Sequence, residues 1–208
     1  MEEIKELIEL ANKIQDKKLR EKVIEFLKNP SLSHPEFKKY PKSKIKETKV
    51  YFSTPFGTSI REVYLHTIAL TQICIKVAEL IEENYGIKLN KDHLIAASLL
   101  HDLMKIFEWK IEDNLPKHTG ISLDHSSLAI AELYHRNFPE HVIHIIAAHF
   151  GEQGPTRPRT AEAFIFHHLD SMLSLFESHL SPKEDKIPVI VIDEETLKSL
   201  KKERENDK

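Results

Sequence analysis

His101 and Asp102 stand side by side in LLHDLMK, residues 99 to 105, inside an apolar run that otherwise reads as a buried helix. Burying an imidazole and a carboxylate without partners costs several kcal/mol, so the pair must be wet, satisfied or bound to something. Further candidates recur on apolar stripes along the chain: His66, His125, His149 and Asp170. Five successive helical patterns thus each turn one or two ionisable groups inward, which a solvated surface does not do. Imidazole nitrogens and carboxylate oxygens without thiolate are the donors that hold zinc, manganese, iron, cobalt or nickel.

Adjacent helical residues point about 100° apart, so His101 and Asp102 can straddle an ion rather than stack in one column. His66, His101 and Asp170 would hold a first divalent metal. Asp102, with two oxygens, could bridge to a second metal on His125 and His149. Two ions roughly 3.5–4 Å apart can clamp a phosphoryl group for in-line attack by hydroxide; a single ion is the simpler arrangement. Asp102 and Lys105 are the candidate catalytic residues. Lys105 lies one turn beyond His101 and suits a phosphate contact. Arg157 and Arg159, in a polar loop after a helix end, could hold a phosphate bidentately or stand there by chance. Glu62, four residues before His66, reads either as an added oxygen ligand or as a solvated glutamate. His167 or His168 could support the ligands from behind. His34, His93, His118, His135, His141, His144 and His179 read as surface or structural.

The elements that must position these groups are helical. Only 5 glycines stand among 208 residues, and hydrophobic residues make up 40%, enough for a core. Ile4 to Ile14 and Leu19 to Phe26 suggest two short helices. The segment 29 to 59 loses periodicity around Pro30, Pro35, Pro41 and Pro55, and reads as irregular structure anchored by Phe37, Tyr40, Tyr51, Phe52 and Phe56, able to wall a cleft. A helical stripe runs from Ile60 to Ile81 and ends near Gly86. Asn90 caps a helix extending to about Phe107, Ser122 one from Leu123 to His135, Pro139 opens another ending at Gly151, and Thr160 caps a last one to about Leu180. Val189 to Ile192 form a short β-branched run before a charged tail. The expectation is an all-α bundle with a short extended segment near the C-terminus. Residues 1–59 pack on a metal-binding core of 60–180, with 181–208 an extension of the same single domain.

With 30 Lys+Arg against 33 Asp+Glu, a net charge of −3 argues against nucleic-acid affinity by charge alone. The lone Cys74 excludes an internal disulfide and a thiolate cluster. No apolar run approaches the roughly 20 residues of a membrane span, and the acidic N-terminus lacks a signal-peptide core, so the chain reads as soluble and cytoplasmic.

The order His66, His101-Asp102, Asp170 resembles the HD superfamily of metal-dependent phosphohydrolases, all-α bundles in which those positions form the metal site. DKKLREKVIEFL, SLLHDLMK, AHFGE and RTAEAFIFHHLDSM are similar to the HD domain of YhaM-type 3′→5′ exoribonucleases over about residues 13 to 180, without the OB-fold domain those enzymes carry. Two positions depart: Met104 replaces a glycine, and Phe150 replaces a second histidine. The resemblance implies a phosphohydrolase or phosphodiesterase using one or two divalent ions. A small nucleotide or cyclic phosphate is the favoured substrate, and an archaeal HD enzyme opening the cyclic phosphate of dihydroneopterin is one candidate of that kind. The rivals are a 3′→5′ exoribonuclease on single-stranded RNA and a regulatory module that binds a nucleotide without turnover.

Overall fold

The structure is a computed structural model that describes residues 2–55 and 57–180. The expected run Val189 to Ile192, the extension 181–208 and the anchor Phe56 lie outside the described residues.

The N-terminal pair is α1 (Lys5–Ala11) and α2 (Lys17–Lys28). Asp16 caps α2, accepting from the backbone N–H groups of Lys18 and Leu19 at 2.8 and 3.1 Å. The link before α2 is tied down from a distance: the Asp92 carboxylate accepts from the N–H groups of Gln15 and Asp16, both at 2.8 Å. Asp92 sits in the first turn of α4 (Lys91–Leu100), which Asn90 caps at 3.0 Å from the His93 N–H.

The central helix α3 (Val63–Tyr85) stops at Gly86, whose φ of 68° gives the left-handed turn that ends helices. Its buried stripe runs through Val63, His66, Thr67, Leu70, Thr71, Cys74 and Ala78, whereas Leu80 of the expected stripe is exposed. Helix α3 is long and apolar enough to cross a membrane by length and composition. That corrects the sequence expectation, yet its buried face packs against α4 and α8 (Ala161–Leu180) as a core helix does. Thr160 begins α8, its Oγ1 accepting from the Ala163 N–H at 3.2 Å.

The helix expected from Asn90 to Phe107 is broken. Helix α4 ends at Leu100, residues 101–104 form a turn, and a single turn α5 (Lys105–Glu108) follows. His101 and Asp102 therefore sit where the chain leaves a helix, which lets both side chains face one point. The turn is nonetheless core: Leu99, Leu100, Leu103 and Met104 are all buried. Asp124, rather than Ser122, caps α6 (His125–His135), accepting from Ser127 N–H at 2.8 Å. Helix α7 (Glu140–Ala147) follows Pro139 and ends before His149.

Two antiparallel hairpins modify the all-α expectation, although the body of the molecule is helical. Strands β1 (Lys49–Thr54) and β2 (Gly57–Glu62) pair in the segment read as irregular, and β3 (Trp109–Glu112) pairs with β4 (Leu115–His118) beyond the HD turn. The second is closed by Asp113 and Asn114 at φ of 52° and 64°, a two-residue turn that suits the twist of the strands. The first is pinned to α8 through the Ser178 hydroxyl, 2.8 Å from Thr54 Oγ1 and 3.0 Å from Ser59 Oγ. Residues 29–48 are irregular apart from a 3-10 helix at Pro35–Lys39, and are held to the core by Ser33 on Glu132 and by the Ser43 N–H, which donates to the Ile106 carbonyl at 2.8 Å.

Candidate metal centre and substrate cleft

The helices bring His66, His101, Asp102 and Asp170 together in the interior, all buried. One donor atom each from His66, His101 and Asp102 lies within 4.8 Å of the others. His125 and His149 complete the neighbourhood: His125 Nε2 is 3.4 Å from Asp102 Oδ1, and the rings of His101 and His149 are 6.1 Å apart.

The hydrogen bonds assign the tautomers. His101 Nδ1 lies 2.9 Å from the Ser98 carbonyl, which can only accept, so Nδ1 carries the proton and Nε2 offers a lone pair. His149 is fixed the same way by the Ile146 carbonyl at 2.7 Å. His101 Nε2 and Asp102 Oδ1 are buried without a hydrogen-bond partner. Two adjacent orphaned electron-pair donors in a core are costly unless a cation sits between them, and imidazole with carboxylate is the donor set of a divalent metal. The residues present therefore fit such an ion.

Behind the inner ring stand carboxylates that sequence reading missed. His66 Nδ1 is 3.0 Å from Glu177 Oε2, while its Nε2 is 3.0 Å from Asp170 Oδ1. Burial and the Arg61 charge press the His66 pKa down, but Asp170 and Glu177 outweigh them and raise it. Both ring nitrogens of His66 thus face carboxylates, which marks a place for positive charge that a metal would fill. His125 Nδ1 likewise donates to Glu108 Oε2 at 3.0 Å. Such carboxylate–histidine pairs orient imidazole ligands. Burial drives the His101 pKa down to about 3 and lowers that of His149, so both rings stay neutral. Burial alone would raise Asp102, but the charges of Lys105 and Arg61 hold its carboxyl well below the usual range. Asp170 resists burial in the same way through its hydrogen bond to His66, and stays ionised.

Two cations converge on Asp102 Oδ2: Lys105 Nζ at 2.8 Å and Arg61 Nη2 at 3.0 Å. Burial, then Arg61, lowers the Lys105 pKa despite the Asp102 contact. Arg61, from β2, also donates to Ser174 at 2.8 Å and packs on the Phe52 ring at 5.0 Å. Its position follows from the β1–β2 register, which no helical spacing could reveal.

Asp102, His125, His149 and Asp170 line a cavity of about 650 Å³ walled by Tyr51 and Phe52 of the first hairpin, Trp109 of the second, and Phe150, Glu152 and Gln153 after α7. Lys105 lines it. Arg157 and Arg159 do not: both are exposed, and the Arg159 N–H donates to His144 Nε2 at 3.0 Å. The guanidinium at the cavity is that of Arg61. Glu62 turns outward to Lys49 at 3.5 Å instead of joining the ligands. Met104 fills the core, and Phe150 lies against the His149 ring at 3.8 Å between centroids. His167 donates from Nδ1 to the His149 carbonyl at 2.6 Å, while His168 packs on Phe164.

A bundle that gathers His66, His101-Asp102 and Asp170 around one point is what an HD domain is, and the HD domain profile matches residues 63–175, more than half of the sequence. The chain belongs to the HD-domain family. It is similar to the dihydroneopterin 2′,3′-cyclic phosphate phosphodiesterase of Methanocaldococcus jannaschii, with 43% identity over 172 residues that cover 79% of this chain and 66% of that protein. The chain therefore spans just under two thirds of the length of that curated relative. No solved structure matches the chain. All six predicted ligands fall within the family match, whereas Arg61, Tyr51 and Glu177 lie outside it.

Proposed function

We propose that the protein is a metal-dependent phosphodiesterase that opens a small cyclic phosphate, with dihydroneopterin 2′,3′-cyclic phosphate as the substrate. The observation carrying this reading is the pair of orphaned buried donors, His101 Nε2 and Asp102 Oδ1, of which Asp102 lines an aromatic-walled cavity. The named activity of the 43% identical relative supports it.

His66, His101, Asp102 and Asp170 would hold one divalent ion, and His125 and His149 with Asp102 a second; manganese, iron, nickel, cobalt and zinc all suit these donors. When bound, the metal supplies Lewis acidity and a water of lowered pKa. Lys105 and Arg61 bring fixed positive charge to phosphoryl oxygens in a site already shielded from water, where such charge counts most. The lowered pKa of Lys105 eases proton donation from Nζ to the departing ester oxygen. Glu177 and Glu108 hold the His66 and His125 rings in orientation. Tyr51 and Trp109, with ring centroids 6.0 Å apart, offer flat apolar surface to a ring system attached to the phosphate.

Metal-reconstituted protein should open dihydroneopterin 2′,3′-cyclic phosphate to phosphomonoesters and leave a labelled single-stranded RNA at full length. Progressive shortening of the RNA with no attack on the cyclic phosphate would reverse the assignment in favour of the exoribonuclease.

A further inference from the structure

Of the acidic side chains lining the cavity, Asp102, Glu108 and Asp170 are engaged with one another's cations and histidines. Glu152 is different. Among the described residues no hydrogen bond or ion pair reaches its carboxylate, although it lines the same cavity as the metal cluster and the aromatic pair. Gln153 beside it brings an amide that can both donate and accept. The turn carrying them is held in place: Gly151 has φ of 59°, and a Cβ there would run into the His167 ring, whose Nδ1 is bonded to the His149 carbonyl. A carboxylate next to an amide, set on a fixed turn in the same cavity as the edge-to-face pair Tyr51 and Trp109, is complementary to one kind of heterocycle edge. That edge presents adjacent N–H donors beside a carbonyl.

We infer that Glu152, with Gln153 and the Tyr51–Trp109 pair, forms a ring-recognition subsite selecting substrates with a 2-amino-4-oxo heterocycle, the pterin or guanine type, over adenine. The inference rests on the small-phosphodiester reading above and specifies the ring. The ring lies against Tyr51 and Trp109, its amino and ring N–H groups donate to the Glu152 carboxylate, and its carbonyl accepts from Gln153. Adenine offers its amino group alone, with no ring N–H beside it and no carbonyl, so one oxygen of the carboxylate would stay unpaired. A charge-assisted pair of this kind is worth roughly tenfold or more in affinity.

Trp109 is the single tryptophan of the chain, so its emission reports the cavity directly. Titrating metal-free protein with guanosine and adenosine monophosphates should quench that emission, with guanosine bound about tenfold more tightly. Glu152→Gln should bring the two affinities within about threefold, and Tyr51→Leu should weaken both by a similar factor. Glu152 is exposed, and an unchanged circular dichroism spectrum confirms that the variant is folded. Equal affinities in the wild type, or a preference that survives Glu152→Gln, overturns the subsite. Hydrolysis of guanosine and adenosine 2′,3′-cyclic phosphates by metal-loaded protein separates the two layers. Turnover without ring preference overturns only the subsite, whereas guanosine-selective quenching without turnover of either ester or of dihydroneopterin 2′,3′-cyclic phosphate overturns only the phosphodiesterase reading.

Discussion

Replacing Glu177 by Gln keeps the shape of the side chain but removes the charge that holds His66 Nδ1–H at 3.0 Å. The His66 ring then loses its electrostatic anchor and part of its basicity. Metal affinity is expected to fall 10–100-fold, the usual cost of losing such a partner, with the fold retained. Competition against a chromophoric chelator measures this, and an unchanged affinity would show that His66 is not oriented through Glu177. Asp102 behaves differently. Asp102→Ala removes the anion that Lys105 and Arg61 meet at 2.8 and 3.0 Å, leaving Arg61 only Glu177 at 3.5 Å, so it should lose metal and also about 3–5 kcal/mol of stability in urea unfolding. Sequence alone predicts the loss of metal from the Asp102 change but not this structural penalty. The six inner histidines and aspartates are legible because an ionisable group on an apolar helical stripe is anomalous. Arg61, Glu108, Glu152 and Glu177 are not, because charged residues in loops, strands and solvent-facing helix positions are ordinary, and only tertiary folding turns them inward.

At the scale of elements, the helices were readable from caps and periodicity: Asn90, Thr160 and Gly86 stand where the sequence puts them. The hairpins were not. β1 and β2 alternate weakly and sit among prolines, so their pairing depends on α8, through Ser178, more than on strand propensity. The break after Leu100 was equally hidden, because an apolar run buried on all sides has no period to lose. The turn Gly151–Gln153 offers the sharpest test of an element's geometry. Gly151→Ala adds a methyl group against the His167 ring at a left-handed φ, and should cost about 1–3 kcal/mol on denaturation. Because His167 also bonds to the His149 carbonyl, the same change should weaken metal binding at a distance from every ligand atom. A Gly151→Ala protein with wild-type stability and metal affinity would mean that the turn yields freely.

For the whole molecule, pH and metal act through separate places. His93 on α4 stacks on His141 of α7 at 5.8 Å, and burial followed by the His141 charge lowers the His93 pKa, with Glu162, Asp92 and Asp16 opposing. Below the ordinary histidine pKa of about 6.5 the unfolded chain takes up a proton that the folded chain resists, so stability falls as pH drops through that window and is recovered above it. His93→Gln should flatten the acid limb of a plot of Tm against pH; an unaltered slope would assign the limb elsewhere. Metal acts on the interior charge balance. Arg61 and Lys105 already lie against Asp102, and His66 against Asp170 and Glu177, so chelation should leave a folded helical protein rather than an unfolded one. Adding a divalent ion at a hundred times its Kd should then stabilise the fold by about 2.7 kcal/mol, a rise in Tm of roughly 5–10 °C. His101→Asn, which removes the orphaned Nε2 donor, should abolish that rise. If the variant keeps the full metal-dependent shift, the ion is bound away from the HD turn, and the two unpaired buried atoms of that turn need another explanation.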